Sequence, residues 1–427
     1  METFVNPPRE KWQSLVERVR TDEQSIAESV ASIVGRVRRD GDIALRQLSL
    51  EIDKVSLEGG CEVSQQEVEE AYSLVPQELR QAVKRAGDNI LRFHSAQMPR
   101  EVDLFVSEGV RCVQRPVPLG RVGLYIPGGS APLFSTVLML AIPASVAGCR
   151  EVILCTPCGK DGRVAPAVLY AAKEYGVDRV FKIGGAQAIA AMAYGTESVP
   201  KVDRIFGPGN RYVTMAKELV SRDVAIDMPA GPSEVLVLCD DSAVPDFVAS
   251  DLLSQAEHGK DSQAMLVCGD SSFALKVEAC VNDQIATLDR SRIAEEALKH
   301  SRVVILKDEA EQIDFVNAYA PEHLIISTRD PWEKALRVTA AGSVFIGNWS
   351  PESAGDYASG TNHTLPTSGW ARSMSGVNVD SFMRKMTIQE LSCEGIASLG
   401  ETIVTMARAE GLEAHARAAL LRMGRSE

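Results

Sequence analysis

Arg121-Val-Gly-Leu-Tyr-Ile126-Pro-Gly-Gly129 is a short apolar run that ends on a turn, and the hundred residues after it repeat that logic. Residues 136–146 have helical spacing, Glu151–Cys155 is strand-like, and 164–175 is helical again. Then come a strand-like 179–183, a helical 187–194, a strand-like 203–206 and a helical 212–220. Strand and helix alternating at this pitch predict right-handed βαβ units on a parallel sheet. Ligands on such sheets bind beyond the carboxyl ends of the strands. Those ends carry Pro127-Gly128-Gly129, Gly184-Gly185 and Gly207-Pro208-Gly209.

Downstream of Ser233 a second series appears, with β-branched runs at Glu234–Cys239, 264–268, 302–306, His323–Ser327 and Ser343–Ile346. Upstream, residues 25–37 repeat apolar positions at helical spacing, and Ser64-Gln-Gln-Glu67 reads as a capped helix start. After Met374 the pattern returns to helix, above all over 399–421. The fold class is therefore α/β, with two Rossmann-like domains on parallel sheets and small helical segments at both ends. The expected division is a helical arm at 1–22 and a first Rossmann-like α/β domain at 121–231. A second α/β domain joins 23–120 to 232–376, and a helical tail covers 377–427.

The chain has 427 residues, enough for two or three domains of roughly 150 each. Its 45% hydrophobic and 24% charged residues exclude collagen, low-complexity disorder and a disulfide scaffold. A net charge of −13 argues against a nucleic-acid or anionic-membrane partner, since phosphate binding needs clustered cations. There is no run of 18 apolar residues, and the start resembles neither a signal nor a transit peptide, so a cytoplasmic protein is expected. Nine scattered cysteines fit reduced thiols. Cys155-Thr-Pro-Cys158 has dithiol spacing, but no second pair completes a zinc knuckle, and both are read as structural.

The usual dinucleotide fingerprint is missing, because Tyr212 stands where Gly207-Pro-Gly-Asn-Arg-Tyr212 should end on glycine. Spacing alone leaves a cofactor open, although helix starts after Gly185 and Gly209 could receive a pyrophosphate on free amides.

The six histidines can be inspected singly. Gln255 and His258 are three apart near a helix end, either as donors on one face or as a polar terminus with a dipole-favoured imidazole. Glu322-His323 follows Pro321 at a strand start, which suits a positioned acid/base pair. Residues 348–363, with Glu352, Asp356 and His363, form the densest polar segment. Glu410 and His415 sit in the last helical stretch, where a solvated face is the bland alternative. Gln, His, Asp and a second His make an oxygen and nitrogen donor set suited to Zn²⁺. His94 and His300 have no such company.

Gly123-Leu-Tyr-Ile-Pro-Gly-Gly129, Gly184-Gly-Ala-Gln-Ala-Ile189, Phe206-Gly-Pro-Gly-Asn210 and Ala230-Gly-Pro-Ser-Glu234 occur in order with four further motifs. Those are Gln255-Ala-Glu-His258, Ala320-Pro-Glu-His323, Ser353-Ala-Gly-Asp-Tyr357 and Ser359-Gly-Thr-Asn-His363. Together they resemble the histidinol dehydrogenase family along essentially the whole chain. The resemblance implies one Zn²⁺ per subunit on Gln255, His258, Asp356 and His415, with Glu322 and His323 as the acid/base pair. It further implies NAD contacts at Tyr125, Gln187 and Asn210. The implied substrate contacts are Ser233, Gln255, His258, His323, Asp356, Glu410 and His415. In such a family Glu410 and His415 reach across a homodimer, so that the active site is shared. The implied reaction is a four-electron oxidation of L-histidinol to L-histidine by two NAD⁺, the last step of L-histidine biosynthesis. A neutral His323 and an ionised Glu322 would make activity rise toward mildly alkaline pH.

Overall fold

The computed structural model describes residues 1–18, 24–57, 59–128, 132–229 and 231–424. Gly129 and Ala230 of the quoted motifs, and the expected boundary at residues 22 and 23, lie outside them. Strand β1 (Glu2–Val5) opens the chain, and β2 (Val102–Ser107) and β3 (Val110–Pro118) precede the first parallel unit. That unit holds β4 (Arg121–Tyr125), β5 (Glu151–Cys155), β6 (Arg179–Phe181), β7 (Arg204–Phe206) and β8 (Ala225–Ile226). The second holds β9 (Glu234–Cys239), β10 (Gln263–Cys268), β11 (Arg302–Ile305), β12 (His323–Ser327) and β13 (Ser343–Ile346), and β14 (Met383–Leu391) follows.

The first sheet has the order β6-β5-β4-β7-β8 and the second β1-β11-β10-β9-β12-β13, with every pair parallel. Buried runs such as Glu234–Cys239, covered on both faces, are what a parallel sheet demands. In each sheet the chain leaves the middle strand in one direction and later returns to its other side. The crevices therefore open between β4 and β7 and between β9 and β12.

The structure corrects the expected N- and C-terminal segments. Residues 2–5, expected in a helical arm, pair with β11 at the edge of the second sheet. Residues 383–391, expected in a helical tail, pair with β3 over nine residues in an antiparallel sheet of order β14-β3-β2. Both stretches are too short or too exposed on both faces to show the alternation that marks a half-buried strand. The Gln24–Leu48, Gln65–Leu74 and Gln77–Ser95 helices, expected to join the second unit, pack on the first. Val30, Val34 and Val37 share a core with Ile189 and Val213, while Val83 and Ile90 share one with Leu124 and Leu140. Helical periodicity shows that a face is buried but not which sheet it covers. His94 fills such a position, fully buried with Nδ1 on the Ile90 carbonyl at 2.9 Å.

Among the described residues no helix is long and apolar enough to cross a membrane. The antiparallel sheet leaves Leu104, Phe105, Val106, Met386 and Ile388 exposed. The Cys393–Ala409 and Glu413–Arg422 helices turn back on each other at Gly411 around a small core of Val404, Ala407, Ala416 and Ala419.

At the first crevice Gly207 has φ +122°, and an added Cβ would lie 2.1 Å from the Tyr125 carbonyl oxygen. Gly207→Ala should destabilise the first unit by about 2–4 kcal/mol, combining backbone strain with a clash that only main-chain movement relieves. Thermal denaturation checks this, and an unchanged Tm would contradict the geometry.

Candidate active site

The second unit gathers its polar residues at the amino edge of its sheet, opposite to the carboxyl-end rule. The Pro245–Ala256 helix runs back from β9, so its last turn brings Gln255 and His258 to the strand starts. Glu352 and Asp356 lie four apart on the short Glu352–Tyr357 helix, which aims both from one face. His258, Glu352 and Asp356 thereby bring a ring nitrogen and two carboxylate oxygens within 4.8 Å of one another. Gln255 is buried beside them. With its amide oriented to satisfy both ends, its nitrogen donates to Glu352 and its oxygen accepts from the Glu234 N–H at 3.2 Å.

Glu322 and His323 enter from the start of β12. Just before them Ala320 is left-handed, at φ +52°, and Pro321 follows, so the chain turns sharply into the strand. Glu322 accepts the Glu234 N–H at 2.9 Å, and burial pushes its carboxyl up to about 7. His323 Nδ1 lies 3.2 Å from the Glu234 carbonyl oxygen. A proton on Nδ1 leaves Nε2 with its lone pair facing the cluster. That buried Nε2 has no hydrogen-bond partner, and its nearest acid is Asp356 Oδ1 at 3.6 Å.

The electrostatics of the cluster favour a cation. Burial opposes the charged imidazole of His323, yet Glu352, Glu322 and Asp356 together push it up to about 10. Burial and its acidic neighbours drive Glu352 well above the carboxylate range, and burial takes Asp251 up to about 7. Burial also opposes ionisation of Asp356, but His323, His363 and His258 hold it below its usual value. Buried carboxylates this close are costly unless a cation joins them. A divalent ion among His258, Glu352 and Asp356 would relieve their repulsion and remove much of the push on His323. The carboxyl end of the Pro245–Ala256 helix, the negative end of its dipole, also favours a cation. The donor set of imidazole, carboxylate and amide fits zinc.

The residues of the first unit surround its crevice differently. Tyr125 ends β4, and its hydroxyl accepts the Gly185 N–H at 3.0 Å; burial pushes the phenol up to about 12. Asn210 caps the Arg211–Val220 helix by accepting from Tyr212 and Val213. Gln187 is buried and donates to Asp53 at 3.0 Å. Tyr125 and Asn210 thus flank the β4–β7 crevice, while Gln187 follows β6. His363 joins the two units, with Nδ1 2.9 Å from the Asp356 carbonyl and Nε2 3.1 Å from Thr136 Oγ1 on the helix after β4.

Not every expected residue converges. Ser233 stands next to the cluster, immediately before β9. Glu410 and His415 are exposed on the C-terminal helical pair, and His415 is not among the three clustered donors of the described residues. Cys155 is fully buried among apolar neighbours, which push its thiol up, and burial raises Cys158 as well. Neither is poised as a thiolate. Sequence reasoning left Glu352 and Glu234 without roles. The four-residue step from Glu352 to Asp356 is the signal that would have found the first.

The histidinol dehydrogenase family model matches residues 16–423. A histidinol dehydrogenase of Bacteroides fragilis (strain YCH46) is 53% identical over 424 residues, 99% of each chain. That of Escherichia coli (strain K12) is 53% identical over 403 residues, covering 94% of this chain and 92% of its own. The crystal structure of the histidinol dehydrogenase from Elizabethkingia anophelis superposes with a TM-score of 0.97 at 47% identity, covering 99% of this chain and 98% of that one. With the match running through both α/β units and both crevices, the chain belongs to the histidinol dehydrogenase family of NAD-dependent oxidoreductases.

Proposed function

We propose that the chain oxidises L-histidinol to L-histidine with two NAD⁺ in succession, closing L-histidine biosynthesis. The observation that carries this reading is the buried His323 Nε2, unpartnered and facing a cluster of metal-type donors. In this reading His258 and Asp356 hold one Zn²⁺ together with His415 of the partner subunit and with Gln255, whose amide would turn its oxygen to the metal. When bound, the metal supplies a point of attachment that orients the amino alcohol, and NAD⁺ accepts the hydride.

His323 Nε2 takes the hydroxyl proton as the first hydride leaves carbon, with Nδ1 held on the Glu234 carbonyl. The aldehyde stays bound. Glu322 takes a proton from water as it adds to that aldehyde, His323 returns its proton to the carbonyl oxygen, and, neutral again, it serves as base when the hydrate loses the second hydride. Tyr125, Gln187 and Asn210 border the NAD⁺ site, where the positive ends of the helices starting at Gly185 and Arg211 face phosphate. Ser233 and the partner subunit's Glu410 complete the substrate pocket.

A homodimer is supported by where Glu410 and His415 lie. Both are exposed on a helical pair whose own core is four small or branched residues, beside a sheet with exposed apolar side chains. Nine unpaired thiols agree with a cytoplasmic location.

Incubation with L-histidinol and excess NAD⁺ should yield two NADH per substrate; one, or none, refutes the four-electron reading. His323→Asn should lose at least about 100-fold in kcat for both half-reactions. Chelation should abolish NADH formation and zinc should restore it, with metal content measured alongside. His415→Ala and His258→Ala should each be nearly inactive, yet subunit exchange between them should restore about a quarter of wild-type activity, because half the dimers carry one intact site. No recovery after verified exchange would place both ligands in one chain.

A further inference from the structure

Glu234 touches the acid/base pair twice through its backbone, giving its N–H to Glu322 at 2.9 Å and its carbonyl to His323 at 3.2 Å. Its side chain is itself clamped. Arg18 Nε and Nη2 grip the two carboxylate oxygens at 3.0 and 2.7 Å, and the Ser368 N–H adds a contact at 2.6 Å. The same guanidinium donates to the Tyr319 carbonyl at 2.7 Å and lies 3.8 Å over the Tyr319 ring. Tyr319 ends the helix that leads into Ala320-Pro321-Glu322-His323, and its hydroxyl is tied to Gln263 at 2.8 Å. One arginine from the N-terminal segment therefore holds both backbones that carry the pair, at β9 and before β12.

We propose that Arg18 and Glu234 are positioning residues that set the aim of Glu322 and His323. An apolar pair would fill the same space at less electrostatic cost, so a buried ion pair with a side-chain burial of this degree calls for a geometric reason. A guanidinium can fork onto a carboxylate, reach a carbonyl and stack on a ring at once, which a lysine cannot. The inference rests on Glu322 and His323 being the acid/base pair.

Arg18→Ala, Arg18→Lys and Glu234→Gln test it in the full-length, zinc-loaded enzyme. Arg18→Ala should lose on the order of 100-fold in kcat with the KM for histidinol and the zinc content little changed, as for a misaimed catalytic group. Ethylguanidinium at non-denaturing concentration should recover part of that loss, and Arg18→Lys should stay impaired because it cannot fork. If Arg18→Ala fails to fold, reduced kcat in folded Arg18→Lys and Glu234→Gln supports the proposal. Wild-type kcat in the folded variants overturns it, as does a raised KM at unchanged kcat or a loss that ethylguanidinium leaves untouched. His323→Asn serves as the control: if it retains turnover, the acid/base reading fails whatever Arg18 does.

Discussion

Burying several carboxylates around one imidazole is the constraint on which this structure depends. Glu322, Glu352 and Asp356 face His323 with little water to screen them, and Asp251 stands behind Glu352. An ionised carboxylate in such a place costs several kcal/mol unless it is paired or hydrogen-bonded. The surroundings meet that demand only in part. Glu234 N–H answers Glu322, Arg18 answers Glu234, and three histidines answer Asp356. Glu352 has the Gln255 amide and the imidazole of His323, and burial still holds its carboxyl well above the usual range.

The two sheets present opposite polarities to their ligands. In the first, strand carboxyl ends lead into helix starts at Gly185 and Arg211, whose positive dipole ends favour an anion. In the second, the site is at strand amino ends, where the Pro245–Ala256 helix finishes and its carbonyls favour a cation. His363 pins these two surfaces together by reaching Thr136 on one side and the Asp356 carbonyl on the other. In the proposed reading, a dinucleotide and a metal-held substrate would meet at this seam without competing for the same dipoles. The −13 charge is compatible with this division, since phosphates can be met by backbone amides rather than lysines.

Legibility in the sequence followed the strength of each local signal. The central strands of both sheets were readable because burial on both faces makes them continuous apolar runs between glycine turns, as at Glu234–Cys239 and His323–Ser327. Strand β14 was not, because its exposed Met383–Leu391 run carries no alternating pattern. The Gln24–Leu48 helix was legible as a helix, but its partner sheet was not, since a valine stripe does not name what it covers. At the site, histidine scarcity led directly to His258 and His323. Arg18 gave no signal, because its importance lies in a contact made 216 residues away along the chain.

The C-terminal pair of helices presents the last structural question. Its core of Val404, Ala407, Ala416 and Ala419, with Ile403, Leu420 and Met423 packed against it, is small, and β14 ties it to a three-stranded sheet with an exposed apolar face. Small sheets of this kind need a further packed layer to be stable. Within one chain the described residues supply none. A second copy would supply it, and would explain why Glu410 and His415 stand exposed in the subunit although the resemblance makes one a substrate contact and the other a metal ligand. In the proposed reading dimerisation and catalysis would be one requirement, the surface that stabilises the arm also delivering the fourth metal donor.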